Sequence, residues 1–406
     1  MSTDDAALEA FRQDVRAWLP EVCPASLRPG AQGAPSAEDR TAWLDAFAKR
    51  GFTTPTWPKE YGGGGLSKHE VRVLNEEVTR FGVFPPGVSF FGTAMLGPVL
   101  LEFGNEEQKK EHLPRITSGE IDWCQGYSEP GAGSDLAGLQ TRAVRDGDHY
   151  VINGSKIWTT GANHADWMFC LVRTDPDAPK HDGISFILFD LHQPGVTISP
   201  IQLISGESDF CQVFFEDAKA LAKNLVGPLN GGWTIAKRLL QHERQMLSGG
   251  MPGGGPAPGA KKKSGKKGEV PAPTSHLAES ARDYLGERDG ALAEPVLRDR
   301  IAQYELDNLC FGLTLKRSGE EAKAGQGAGA ATSMFKYYAS EMNKRRGEIV
   351  MAGRGAAALG WEGAGFSPNE LLETRGWLRS KGNSIEGGTS EVQKNVIAKR
   401  VLGLPD

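Results

Sequence analysis

Tyr150-Val151-Ile152-Asn153-Gly154-Ser155-Lys156-Ile157-Trp158-Thr159-Thr160 is the stretch on which the reading of the fold turns. Two short runs, Tyr150-Val151-Ile152 and Lys156-Ile157-Trp158-Thr159, carry the β-branched and aromatic residues that suit a pleated sheet. Between them stands Asn-Gly, a pair that accepts the positive φ angles of a two-residue turn, so the spacing predicts a β-hairpin at Asn153-Gly154. Runs of the same kind follow at Trp167-Met168-Phe169-Cys170-Leu171-Val172, Ile184-Ser185-Phe186-Ile187-Leu188-Phe189 and Cys211-Gln212-Val213-Phe214-Phe215. Together they predict a compact β region from about 123 to about 227.

The chain on both sides of that region reads as helical. Leu8, Phe11, Val15, Trp18 and Leu19 recur at helical spacing and form one apolar face. Ser36-Ala37-Glu38-Asp39 and Ser67-Lys68-His69-Glu70 are helix starts, in which a hydroxyl satisfies a free backbone amide and a carboxylate reaches back. Between them the two prolines of Pro55-Thr56-Trp57-Pro58 and the glycines Gly62 to Gly65 predict a loop. After Gly231-Gly232 the helical period returns and persists to the end. A Gly/Pro/Ala/Lys-rich interruption at about 248–276 is read as a mobile loop. The order predicts an α+β chain in three parts, 1–122, 123–227 and 228–406, and 406 residues exceed what one core usually serves.

Composition narrows the function classes. A 39% hydrophobic and 24% charged chain without a long apolar stretch offers no membrane span, and its acidic, amphipathic start is unlike a signal or transit peptide. The expectation is a cytosolic protein. A formal charge of −5 argues against general nucleic-acid binding, and the basic run from Lys261 to Lys267 is read as keeping a loop soluble. Cys23, Cys124, Cys170, Cys211 and Cys310 lack the CxxC spacing of a metal or redox site, so no metal is expected and each is read as a small buried apolar residue.

Two segments carry a resemblance. Gly126-Tyr127-Ser128-Glu129-Pro130-Gly131-Ala132-Gly133-Ser134-Asp135, followed by Ile152 to Thr160, is similar to the paired flavin-contacting segments of acyl-CoA dehydrogenases. Near the other end, Asn383-Ser384-Ile385-Glu386-Gly387-Gly388-Thr389-Ser390-Glu391-Val392-Gln393 resembles that family's last flavin and substrate segment, and Val401-Leu402-Gly403-Leu404 follows it. The resemblance implies an N-terminal helical domain, a central β-barrel domain and a C-terminal helical bundle. It also implies FAD as cofactor, an acyl-CoA substrate of fatty acid metabolism, and a 2,3-desaturation in which an α-proton and a β-hydride leave the thioester. An α-proton of a thioester is too weakly acidic for a lone carboxylate, so the site must also stabilise enolate charge beside an electron acceptor.

On that resemblance Ser128 and Thr160 would hydrogen-bond the isoalloxazine, Trp158 would pack against it and Tyr127 would line the same wall through its backbone. Thr389 and Glu391 belong to the last flavin segment, and Ser134 matches a position near the CoA-bearing end of the substrate. The family places its catalytic glutamate at either of two positions. One directly precedes the Gly388-Thr389 pair and is Gly387 here, with Glu386 displaced by one residue. The other precedes an arginine on the first helix of the last domain, where Leu239-Leu240-Gln241-His242-Glu243-Arg244 supplies Glu243 as the favoured base and Arg244 as a charge partner for the acyl-CoA. His242 is read as structural.

One segment departs from the family. Where an Arg-x-x-Phe-Gly motif would contact the flavin of a neighbouring subunit, this chain has Glu287-Arg288-Asp289-Gly290-Ala291-Leu292. On the resemblance Arg288 would keep the phosphate contact, but Ala291 stands where the aromatic would be. The implied partners are an electron-transfer flavoprotein and further subunits in a homodimer or homotetramer. Two other readings stand beside this one: a subunit that completes a partner's site in a hetero-oligomer, and an acyl-CoA oxidase.

Overall fold

The computed structural model describes residues 3–248, 276–324 and 332–405. The described chain falls into two compact units, one of residues 3–200 and 210–243, the other of 201–209, 244–248, 276–324 and 332–405. The insertion expected at about 248–276, with its basic run, lies outside the described residues apart from its two ends.

The first unit begins with five helices, α1 (Thr3–Val22), α2 (Ala37–Lys49), α3 (Lys68–Phe81), α4 (Gly97–Phe103) and α5 (Glu106–Ser118). The face read from spacing in α1 is the buried one: Val15, Trp18 and Leu19 pack with Trp43, Phe47, Phe52, Leu74 and Val78. A charged seam runs beside this core. The buried Glu77 carboxylate of α3 takes hydrogen bonds from Arg12, Arg16 and Arg80 at 2.6 to 2.9 Å. Ser67 opens α3 with the full reciprocal cap to Glu70. Ser36 accepts the Asp39 amide at the start of α2, but the Asp39 carboxylate turns instead to the Ser26 hydroxyl at 2.6 Å. The Pro55–Gly65 stretch holds only a 3-10 turn at Lys59–Tyr61.

Eight strands follow: β1 (Trp123–Gly126), β2 (Arg142–Asp146), β3 (His149–Thr160), β4 (Trp167–Arg173), β5 (Ile184–Asp190), β6 (Val196–Ile201), β7 (Phe210–Leu221) and β8 (Leu225–Val226). They form one mixed sheet in the order β6-β7-β3-β2-β4-β5-β8, with β1 parallel to β4. Its inner face closes over a core that includes Tyr150, Ile152, Met168, Cys170, Ile187, Val213 and Phe215.

The hairpin expected at Asn153-Gly154 is not there: these two residues lie inside β3, and the chain turns earlier, at Gly147 with φ 58°, between β2 and β3. Asn153-Gly154 marks a bulge. Between the pairs Ile152↔Ala218 and Gly154↔Phe215, one residue of β3 faces two of β7. Asn153 donates to the Asp217 carboxylate at 2.9 Å and accepts the Asp217 amide at 3.0 Å, with Asp217 at φ 55°. Gly154 is required because its backbone presses on Thr141, whose Cα would stand 2.8 Å from an added Cβ. A second bulge lies between Lys156↔Val213 and Thr159↔Cys211, where Ile157 and Trp158 together face Gln212.

Helix α6 (Gly232–Ser248) follows the sheet. The second unit then contains α7 (Leu277–Leu285), the short strands β9 (Glu287–Arg288) and β10 (Ala291–Leu292), α8 (Pro295–Lys323), α9 (Thr332–Arg354), α10 (Pro368–Ser380) and α11 (Ser390–Val396). Leu277, Ala281, Leu292, Leu297, Ile301, Tyr304, Met342 and Ile349 form its core. Unbroken helical character after residue 232 is corrected here: Asp289 and Gly290, at φ 53° and 75°, make the tight turn of a hairpin between β9 and β10. Four cysteines are buried as expected, whereas Cys310 on α8 is exposed, because it falls on the helix face away from that core.

Candidate active site

The expected site residues fall into two groups, one on each unit. In the first unit, Tyr127 and Ser128 continue directly from β1, and the Ile157 N–H donates to the Ser128 carbonyl at 2.9 Å. That bond fastens the first flavin-type segment to the second. Trp158 stands next in β3 at φ 59°, a left-handed conformation that a bulky side chain adopts only where its surroundings impose it. The bulge turns its indole out of the sheet, so the residue is 55% exposed, with its ring 6.2 Å from that of Phe210, edge to face. Among the described residues, the Ser128 and Thr160 hydroxyls take part in no hydrogen bond. Tyr127 is buried, its ring 6.1 Å from that of Phe169.

Beneath this wall lies a pair that the sequence reading passed over. Lys156 is 0% exposed, and its Nζ donates to Glu129 Oε1 at 2.7 Å and to the Tyr127 carbonyl at 3.2 Å. Glu129 also accepts the amides of Gln140 at 2.6 Å and Thr141 at 2.9 Å. Burial alone would raise the Glu129 carboxyl, but the Lys156 charge and these hydrogen bonds outweigh it and hold the group below its usual range. A signal was available in the alternation of β3: Lys156 shares the inward parity of Tyr150 and Ile152, and a lysine at a core position requires a partner. Arg173, also buried, donates to the carbonyls of Ala137, Leu139 and Lys180. Ser134 is exposed on the loop these bonds anchor, next to Asp135, whose carboxylate pairs with Lys180 at 2.9 Å.

Glu243 and Arg244 lie on α6, with side chains outside the described residues.

In the second unit the loop 383–389 is held on several sides. Lys336 donates to the carbonyls of Asn383 and Gly388 at 2.9 and 2.7 Å, and Gln393 to that of Gly387 at 3.1 Å. Gly387 and Gly388 both take positive φ, 61° and 87°. Glu386 is exposed, and its carboxylate accepts from Arg379 at 2.9 Å and from Asn383 at 2.5 Å. Thr389 caps α11 by accepting the Val392 amide at 3.2 Å. Glu391 sits in the first turn of that helix, its carboxyl lowered by its own backbone amide and by Thr389. Arg288 stands apart from this loop on the β9–β10 hairpin, its side chain 84% exposed and 3.9 Å from the Asp289 carboxylate.

A flavin ring needs a flat apolar face and hydroxyl or amide donors for its heteroatoms, and the first group offers both in the outward Trp158 and the uncommitted Ser128 and Thr160 hydroxyls. These residues fit the cofactor. No cluster of potential metal ligands occurs among the described residues, and none of their helices is long and apolar enough to cross a membrane.

Comparison with known proteins agrees with this layout. Residues 5–120 match the N-terminal domain model of acyl-CoA dehydrogenases, 124–218 the middle domain and 274–402 the C-terminal domain. The chain is 36% identical to acyl-CoA dehydrogenase IpdE1 of Mycolicibacterium smegmatis, over 98% of each chain, and equally to the IpdE1 of Mycobacterium tuberculosis. Among solved structures, one described as the Tcur3481-Tcur3483 steroid ACAD superposes with a TM-score of 0.71 at 34% identity, covering 98% of each chain. The ChsE4-ChsE5 complex from Mycobacterium tuberculosis gives 0.68 at 26% identity and the same coverage. With three domain matches in the family's order and relatives aligned from end to end, the chain belongs to the acyl-CoA dehydrogenases, a family of flavoprotein oxidoreductases.

Proposed function

We propose that this protein is an FAD-dependent dehydrogenase that introduces a 2,3-double bond into an acyl-CoA thioester. The observation that carries this reading is the wall formed by Ser128, Trp158 and Thr160, with an indole forced outward by a strained bulge. Bound there, FAD supplies the two-electron acceptor for the β-hydrogen. Glu243 takes the α-proton, and Arg244, which stays protonated, offers charge to the acyl-CoA. Two facts favour Glu243 over Glu386. The Glu386 carboxylate is already engaged by Arg379 and Asn383, and Gly387, which directly precedes Gly388-Thr389, has the left-handed backbone that favours glycine over glutamate. The steroid description of one solved relative supports a bulky, ring-containing acyl group, and the 36% identity to a protein named an acyl-CoA dehydrogenase supports a dehydrogenase, with an electron-transfer flavoprotein as its acceptor, over an oxidase.

A second reading has its own support. Arg288 projects from an exposed hairpin whose partner residue is Ala291, and two structural relatives are described by paired chain names. On this reading the chain works in a hetero-oligomer and shares flavin contacts with a related subunit.

The test is the visible spectrum of the purified protein and its bleaching by a panel of acyl-CoA thioesters without oxygen. Bleaching by ring-containing thioesters upholds the dehydrogenase reading. A colourless protein that gains flavin and activity only with a related chain upholds the second. Peroxide formed in air at the rate of turnover shifts the assignment to an oxidase.

A further inference from the structure

We propose that the buried Glu129–Lys156 pair is a positioning device for the flavin wall, setting Ser128 and Trp158 in place from beneath. The proposal rests on the flavin reading above. The Lys156 ammonium grips the chain on both sides of Ser128, at the Tyr127 carbonyl and at the Glu129 carboxylate. Ser128 itself is held through its carbonyl by Ile157, the residue between Lys156 and Trp158. Three bonds therefore fix three consecutive residues against the strand segment that enters the left-handed bulge. Glu129 extends the hold to the Gln140 and Thr141 amides, and Thr141 lies tightly against Gly154 of the same strand.

Core filling alone does not explain an ion pair here. Buried pairs are commonly replaceable by apolar side chains without loss of stability, whereas their directional bonds fix geometry that apolar contacts leave loose. A left-handed tryptophan persists only when its surroundings over-determine it. Lys156, two residues earlier, is the fully enclosed group nearest in sequence that can do so through charged bonds.

The experiment replaces the pair by neutral groups of similar size, Glu129→Gln with Lys156→Met, in the full-length protein. FAD affinity of the apoprotein is measured by flavin fluorescence. The accessibility of Trp158 is measured as the difference in acrylamide quenching between each protein and its Trp158→Phe counterpart. We expect a cooperative melt with FAD affinity at least tenfold weaker, altered Trp158 quenching without FAD, and recovery of most of the affinity in Lys156→Arg with Glu129 intact. Unchanged affinity and quenching in a folded double variant overturn the proposal and leave the pair a core element. Should that double variant fail to fold, Glu129→Gln with Lys156→Gln, which also removes both charges and keeps polar partners for the Tyr127 carbonyl and the Gln140 and Thr141 amides, carries the same two measurements: weaker affinity with altered quenching supports the positioning role, and no change in either overturns it. The wild-type arm separates the two ideas: a wild-type protein that binds no FAD, alone or with a related chain, overturns both, whereas one that binds FAD no better than its double variant overturns only the positioning role.

Discussion

Trp158 of β3 and Asp217 of β7 share one backbone peculiarity: each is the left-handed residue of its own bulge, at φ 59° and 55°, in two strands paired with each other. Aspartate tolerates that conformation and is tied down by Asn153. Tryptophan does not, and holding it there costs roughly 1–3 kcal/mol of strain that the surrounding structure must offset. Trp158→Gly should therefore leave the melting free energy within about 1 kcal/mol of wild type, because the lost ring is mostly exposed and the strain is relieved. FAD affinity should fall at least tenfold. Paired thermal melts and flavin titrations check this.

Breaking one half of the buried pair should cost far more than removing both. Lys156→Met leaves the Glu129 carboxylate enclosed without its cation and is expected to destabilise by about 3–5 kcal/mol. Adding Glu129→Gln should restore most of that loss. A denaturant double-mutant cycle measures the coupling.

For the base, Glu243→Gln should lower turnover by about 10²–10⁴-fold while flavin stays bound, since an amide cannot accept the proton. Glu386→Gln should retain turnover within about tenfold, its role being a loop bond to Arg379. Steady-state kinetics with a reducing thioester decide the matter, and the opposite ranking transfers the assignment.

Acid should weaken the helical part through Glu77. The Arg16 hydrogen bond, aided by Arg80 and Arg12 against the opposing effect of burial, lowers its carboxyl from 4.5 to about 2. A depressed carboxyl contributes fully above its unfolded value and loses that contribution as pH falls from about 4.5 through about 2. Glu77→Gln should cost about 3 kcal/mol near neutral pH and flatten the stability curve across that window. Urea melts at pH 7, 4 and 3 give the comparison.

Thiol labelling offers an independent check on the core. Burial pushes the Cys170 thiol up to about 12 and raises those of Cys23, Cys124 and Cys211, whereas Cys310 is exposed. A thiolate-selective reagent at pH 8 should titrate one thiol quickly in the native protein and all five after denaturation.

Local signals carried much of the fold. Helix α1 was legible because its apolar face repeats within a few turns, and Ser67 because its cap closes within three residues. Asn153-Gly154 misled because the same pair serves a turn or a bulge. What decides between them is Asp217, 64 residues away. The Asp289-Gly290 turn was visible in principle, but the resemblance drew attention to Arg288 and Ala291 instead. At the candidate site, the wall residues followed from the two flavin-type segments. The lysine and carboxylate beneath them required knowing that β3 keeps one face inward as far as Lys156.

The two bulges have opposite sense, one adding a residue to β7 and the next adding one to β3, so the pairing offset before the first is recovered after the second. Only the short segment from Gly154 to Lys156 runs out of step with the rest of the ribbon. Insertions and deletions are thereby constrained in pairs. A chain that lost one residue from either bulge alone would carry a shifted ladder through to Thr160, while one that lost a residue from each would keep its ends in register and surrender the outward indole.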